Sequence, residues 1–490
     1  MTAPLHTLSA TALADLIRRH ELSPIEVVEA HIERIEAVNP VLNALAAARF
    51  EEARAEARAA ERQLMSTTDP AALPPLLGVP CTIKEFISVA GMPHTAGVVA
   101  RRHIRARSHA TVVRRVRAAG AIVLGVGNVP EGGMWMETDN KLVGRTNNPW
   151  DPRRTAGGSS GGEAALVAAG GAVFGLGSDI GGSVRIPAGF CGVAGHKPTG
   201  RMVPNTGHWG AHPAASPYLC IGPIARCVTD LELLLELLAG PDGVDPHARD
   251  WPRPALPPGL PDGDLTGVVV YPVDGQGPWR AASVMRAQVA RACALLEARG
   301  ARIGQLDAPL LGSLRTIWLA AMRDLGQGDD GPSFAAMLGD GEPISPAREL
   351  VRMALGRSQV TAPALGLVLL ERVAEWLPDA LTARVPRPAA LRDQLEAQLG
   401  ERGVLVLPPY PRPAPRHRVA LLSPFAFLGT ALFNITEMPA TQVPTGFDDR
   451  GLPLGVQIGA RRGGDALALA VAGALERDLD EWRPAPVLAP

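Results

Sequence analysis

Of the 48 Lys and Arg residues in this 490-residue chain, only Lys84, Lys141 and Lys197 are lysines. The distinction is chemical, because burial can strip a lysine of its proton near neutral pH whereas an arginine stays protonated. Lys84, in the stretch CTIKEF, is therefore a candidate general base in a sequence that writes nearly every other cation as Arg. Lys141 reads as a solvated loop residue. Lys197, ahead of Pro198, reads as a tie between loops near the core.

A base of this kind needs a hydroxyl to act on, and the stretch AGGSSGGEAALVAAGGAVFGLGSDIGGSVRIPAGFCGVAGHKPTG offers several. It contains no G-x-x-x-x-G-K-[ST], which excludes a P-loop. GLGSDIG follows the strand-like AVF, as a dinucleotide-binding loop would, but Ile186-Pro187 and Gly189 are expected to interrupt the helix that must come next. Gly157-Gly158-Ser159-Ser160-Gly161 satisfies G-x-S-x-G, yet a nucleophile elbow requires an apolar strand before it, and NNPWDPRRTA is turn-rich and charged. No serine stands three residues before any lysine, so an S-x-x-K pair is absent. Ser183, in SDIGGSVR, remains as a serine set in glycines. Successive N–H groups in such a loop can turn one way and form an anion-binding nest, which is what the oxyanion of an acyl transfer requires. An isolated GGS is more simply a tight structural turn; two neighbouring Gly-Ser clusters and the selective lysine favour the catalytic reading. Asp179 and Arg185 flank Ser183 and are expected to form an ion pair that holds the loop.

Composition narrows the partners. The 48 basic and 49 acidic residues leave a formal charge of −1, which points to a small neutral ligand rather than nucleic acid or anionic lipid. The five cysteines lack C-x-x-C spacing, so neither a disulfide framework nor a zinc cluster is expected, and a reducing, cytoplasmic setting fits. Cys81 and Cys191, near the motifs, read as small apolar packing groups. The histidines, His196 and His208 among them, have no ligand spacing, and no metal is expected. The N-terminal stretch is patterned as a helix with interspersed charges, unlike a secretory signal, and Ala164 to Gly177 is too short and too glycine-rich to span a bilayer.

The elements that must position these groups follow from hydrophobic period. Leu13, Leu16 and Ile17 form one helical stripe. Ser23-Pro24-Ile25-Glu26 then supplies a cap, a first-turn proline and a capping-box Glu ahead of Val28, Ile32 and Ile35. Ser108 is expected to cap a helix carrying Val112, Val113 and Val116, which stops at Gly120 and feeds the strand AIVLG. Later, GVVVY and VLVLP read as strands, and SVMRAQVARACALLEARG and LALAVAGALE as helices. The proline-rich WPRPALPPGLPDG and PPYPRPAPRHR read as loops within one folded unit. Helix alternating with strand predicts an α/β layer fold.

With these residues in view, the chain resembles the amidase signature family. GGSSGGEAALVAAGG and GLGSDIGGSVRIPAGFCGVAGHKPT are similar to its signature, GVPCTIKEF to its lysine motif, and FNITEMPATQVPTGFDDRGLPLGVQIGA to its C-terminal segment. NVPEGGMWMETDNKLVGRTNNPWDP and GRMVPNTGHWG further resemble the fatty-acid-amide-hydrolase-like branch. The resemblance implies an α/β fold: a mixed central sheet covered by helices on both faces, in one domain over residues 1–490. Its catalytic core would occupy about 60–235 and 400–475, and a variable helical substrate-access segment about 245–400. It implies a hydrolase of carboxamide C–N bonds, with esters and carbamates open to the same chemistry. Ser183 would be the nucleophile, Ser159 the bridging cis-serine and Lys84 the base, with the N–H groups of Ile180, Gly181, Gly182 and Ser183 as oxyanion hole. Met134 and Trp135 fall where relatives line the acyl pocket, which implies an apolar or aryl amide substrate. No cofactor, metal, nucleic acid or membrane span is implied, and the chain would be a monomer or homodimer. The alternative is a glutamine-amidotransferase subunit working in a complex with partner proteins. Glu85 and His196 depart from the family's usual Asp and apolar residue.

Overall fold

Strands of continuous apolar character, buried on both faces, build the centre of the molecule, as they do where parallel pairs are covered by helices. In this computed structural model residues 4–487 are described, apart from 213–216, 253–254, 258–262, 274–279, 328–331, 376–384 and 480–481. In chain order the strands are β1 (Leu45–Ala48), β2 (Pro80–Lys84), β3 (Ile122–Gly127), β4 (Asp139–Asn140), β5 (Gly144–Arg145), β6 (Phe174–Asp179) and β7 (Ala194–Lys197). They continue with β8 (Cys220–Ala225), β9 (Val269–Pro272), β10 (Arg302–Ile303), β11 (Gly403–Leu407), β12 (Ala440–Phe447) and β13 (Pro453–Ala460). Eleven of them form one mixed sheet in the order β1-β3-β2-β6-β8-β7-β12-β13-β11-β9-β10, and β4 and β5 make a small separate ribbon. The arrangement is the expected mixed α/β sheet. Its parallel pairs are β2 with β3 and β6, and β9 with β10 and β11.

Helices α2 (Pro24–Leu42) and α3 (Phe50–Ser66) pack against this sheet, and α1 (Ala10–Arg18) and α4 (Thr111–Ala118) pack against the helix Val228–Leu238. α2 begins as its sequence predicts. The Ser23 side chain accepts from the Ile25 N–H, Glu26 reaches back to the Ser23 N–H, and Val28, Ile32 and Ile35 enter the core. α4 does not begin at Ser108. Its cap is Ala110, with no side-chain bond, because the first-turn Thr111 N–H is taken by the Thr206 carbonyl at 3.2 Å. A tertiary partner satisfies the orphan donor that a capping hydroxyl would otherwise fill. Strand β1 was not evident from its sequence, LAAA. It pairs antiparallel at the sheet edge with β3.

A second correction bears on the site. Residues 185–191, expected to be broken by Pro187 and Gly189, form the short helix α6 (Arg185–Cys191), after α5 (Gly161–Ala168). Pro187 lies in the first turn, where no intrahelical N–H partner is lost. Of the proline-rich stretches, residues 408–415 run as an ordered loop with Tyr410 and Ala414 buried, whereas much of 251–263 lies outside the described residues. Among the described residues no helix is long and apolar enough to cross a membrane.

Candidate active site

Lys84 is the last residue of β2, which lies between its parallel neighbours β3 and β6. Ile83 pairs with Leu176, so Lys84 and the Ser178 region reach the same carboxyl end of the sheet, where open α/β sheets hold their ligands. Lys84 is 1% exposed. Its Nζ lies 2.6 Å from Ser159 Oγ, 3.0 Å from Ser178 Oγ and 3.2 Å from the Ser178 carbonyl. Burial lowers its pKa from 10.5 to about 7 against the pull of the Glu163 and Asp179 carboxylates. Glu163, on α5, is wholly buried beneath the strand ends, with neither carboxyl oxygen in a well-formed hydrogen bond, and burial drives its pKa upward. The carboxyl lies so close to Gly127 that a Cβ there would sit 2.0 Å from Oε1. Desolvation thus moves the acid and the base alike towards their uncharged forms.

Ser159 follows a cis peptide bond from Gly158 and stands just ahead of α5. Ser183 lies between β6 and α6, in a turn fixed by Asp179. The Asp179 carboxylate accepts from the N–H groups of Gly182 (2.7 Å) and Val184 (3.0 Å), from Arg185 Nε and Nη2, and from the Asn434 amide. Arg185 reaches on to Gln457 Oε1 and Asn434 Oδ1 at 2.8 Å each. Burial pushes the Asp179 carboxyl up, but Arg185 and these donors outweigh it and bring the pKa down to about 2. Gly182, at φ +124°, admits no side chain, since a Cβ would meet Thr430 Oγ1 at 2.2 Å. Of the four N–H groups expected to form the oxyanion hole, that of Gly182 is donated to Asp179 in this arrangement. The N–H groups of Ile180, Gly181 and Ser183 have no acceptor among the described residues. Nor does a hydrogen bond join Ser159 to Ser183 in this arrangement.

Two adjoining cavities meet here. One, of about 160 Å³, is lined by Lys84, Ser159, Ser178 and His208; the other, of about 360 Å³, by Ser183, Gly158, Trp318, Phe425 and Phe427. Met134 borders both and Trp135 the larger. Met134 is 36% exposed, so it is cavity wall and not core. Sequence reading missed Ser178, near the end of β6 beside β2, and the distant walls Trp318, Phe334, Leu367 and Leu370, which share no motif with the serines.

The remaining candidates have structural duties. Lys141 is exposed, and Lys197 donates from full burial to the Pro198 carbonyl at 2.7 Å. Glu85 accepts from Thr95 and Ala96, and His196 bonds Thr441 and Asp465. Cys81 and Cys191 are buried, with their thiols pushed up by desolvation.

The model of the family described as Amidase matches residues 26–469. Human fatty-acid amide hydrolase 2 is 38% identical over 498 residues, covering 98% of this chain and 91% of its own. A glutamyl-tRNA(Gln) amidotransferase subunit of Moorella thermoacetica is 34% identical over 502 residues, with 99% of each covered. The solved structure of 6-aminohexanoate cyclic dimer hydrolase complexed with substrate superposes with a TM-score of 0.77 at 28% identity, covering 99% of each chain. The chain belongs to the amidase family and is a hydrolase of carbon–nitrogen bonds other than peptide bonds.

Proposed function

We propose that this amidase cleaves a carboxamide through an acyl-enzyme on Ser183, with Ser159 and Lys84 passing the proton. Ser183 Oγ attacks the carbonyl carbon while its proton moves to Ser159 Oγ, whose own proton moves to the lone pair of neutral Lys84 Nζ. The negative charge formed on the carbonyl oxygen is held by the N–H groups of Ile180, Gly181 and Ser183. Collapse breaks the C–N bond, and the proton returns from Lys84 through Ser159 to the departing amine. Water then repeats the attack with the same groups and releases the acid. The contact between the two serine hydroxyls forms with substrate in place, as catalytic hydrogen bonds commonly tighten only then. The observation that carries this reading is the 2.6 Å contact between the buried Lys84 Nζ and Ser159 Oγ in the wall of the smaller cavity, which adjoins the one lined by Ser183.

Trp318, Phe425, Phe427 and Met134 make the larger cavity an apolar receptacle, which supports an apolar or aryl acyl group. The similarity to an amidotransferase component favours a second reading, a chain that works on glutamine together with partner proteins. Apolar walls speak against so polar a substrate. The experiment that tests the proposal is turnover by the purified single chain of an anilide, a primary amide, a p-nitrophenyl ester and an aryl carbamate, with a fluorophosphonate probe located by peptide mass spectrometry. Modification of Ser183, and loss of turnover by about 1,000-fold or more in Ser183→Ala and in folded Lys84→Arg, are expected. An unmodified Ser183, or wild-type rates in Lys84→Arg, contradict it; activity only with added partner proteins supports the second reading.

A further inference from the structure

Lys84 Nζ has three neighbours: the Ser159 hydroxyl, the Ser178 hydroxyl and the Ser178 carbonyl. A neutral amine brings two N–H donors and one lone pair to them. The carbonyl can only accept. The lone pair is therefore open to a proton from either hydroxyl, and only Ser159 leads towards the nucleophile. A second partner of Ser178 decides between them. His208 Nε2 lies 2.8 Å from Ser178 Oγ, and His208 lines the smaller cavity. Phe86 holds that ring by stacking, with centroids 5.9 Å apart and planes 12° from parallel, and itself lies 5.1 Å beneath Lys84 Nζ.

We propose that His208 is a positioning residue that draws the Ser178 hydroxyl proton to its Nε2, so that Ser178 presents only lone pairs to Lys84 and the amine's lone pair is left for Ser159. The hydrogen bonds then run one way, from Ser159 O–H to Lys84, from Lys84 N–H to Ser178, and from Ser178 O–H to His208. Burial keeps the ring from taking up a second proton, and Nδ1 has no well-formed hydrogen bond among the described residues. Nε2 faces Ser178 at hydrogen-bond distance, and in this proposal the single ring hydrogen accordingly lies on Nδ1. Without His208, the Ser178 hydroxyl can turn and donate to Lys84, occupying the lone pair unproductively.

This inference rests on the Lys84–Ser159–Ser183 reading, and the test separates the two. His208→Leu is expected to lower kcat about 10- to 100-fold, the range for a residue that orients a functional group through another, with KM within about twofold. His208→Gln, whose amide oxygen can accept from Ser178, should recover most of the loss. In a Ser178→Ala background His208→Leu should cost less than about twofold, because the competing hydroxyl is gone. Equal losses in both backgrounds, or no recovery by Gln, overturn the proposal. Independently of turnover, the 15N signals of the His208 ring in the folded wild type should show a protonated Nδ1 and an unprotonated Nε2. Should His208→Leu fail to fold, the Gln variant and these signals decide, and a protonated Nε2 overturns the proposal. Failure of the relay reading shows instead as wild-type turnover in Ser183→Ala.

Discussion

Two sets of buried acidic and basic groups flank the site in this molecule, and burial treats them in opposite ways. Asp179 and Arg185 are both fully enclosed, yet the Asp179 carboxyl is held below its ordinary value, because it accepts five hydrogen bonds from side chains and backbone, and all three guanidinium nitrogens are bonded. Lys84 and Glu163 are as deeply enclosed. Here the amine has three neutral oxygens around it and the carboxyl lacks a well-formed hydrogen bond, so desolvation dominates and both move towards neutrality. The lesson is that hydrogen-bond supply, not depth, decides whether a buried ionisable group becomes scaffold or reagent. The scaffold pair fixes the turn that carries Ser183, and the sparsely bonded pair contains the proposed base.

The comparison can be broken most forcefully at the charged pair. Arg185→Leu leaves Asp179 as an uncompensated buried carboxylate and should destabilise the fold by about 3–5 kcal/mol. Equilibrium urea unfolding measures this; a loss within about 0.5 kcal/mol, the range of a surface change, would show that the network holds nothing.

At the neutral pair the test is pH. Lys84 is productive when uncharged, so kcat/KM should rise with pH through about 7 and then level, far below the ordinary lysine value of 10.5. The linkage has a definite sign. Between about pH 7 and 10.5 the unfolded chain binds a proton that folded Lys84 has given up, so stability from this group rises with pH across that window. Glu163, raised from 4.5, has the opposite slope over its own range, and Lys84→Met isolates the lysine. That variant should be inactive yet about 1–2 kcal/mol more stable at neutral pH, with the lysine's slope gone. Thermal unfolding over a pH series checks both. The smallest effect sharpens the comparison furthest. Glu163→Gln replaces a carboxyl already held neutral, and should leave kcat within about threefold at neutral pH; a loss of 100-fold would mean that the carboxylate is charged and paired with Lys84.

Much of this arrangement could be read from residue types. Lys84, Ser159, Ser183 and the Asp179–Arg185 pair stand in local motifs, and the capping box of α2 is wholly local. What escaped was decided by tertiary partners. Ser108 lost its capping role to the Thr206 carbonyl, and the Gly182 N–H is engaged by a carboxylate three residues back. Pro187 and Gly189 proved compatible with a short helix because the proline falls in its first turn. Ser178 and His208 acquire their roles only when β2 and β6 pair and the 205–209 loop folds over them, a juxtaposition no spacing encodes.

The central claim is that the amine of Lys84 is uncharged in the working enzyme. A 15N-detected titration of its Nζ in the folded protein tests that without any substrate. The account predicts a transition near pH 7, with the amine neutral by pH 8 or so. An ammonium signal that persists to the ordinary lysine range near pH 10 would contradict it.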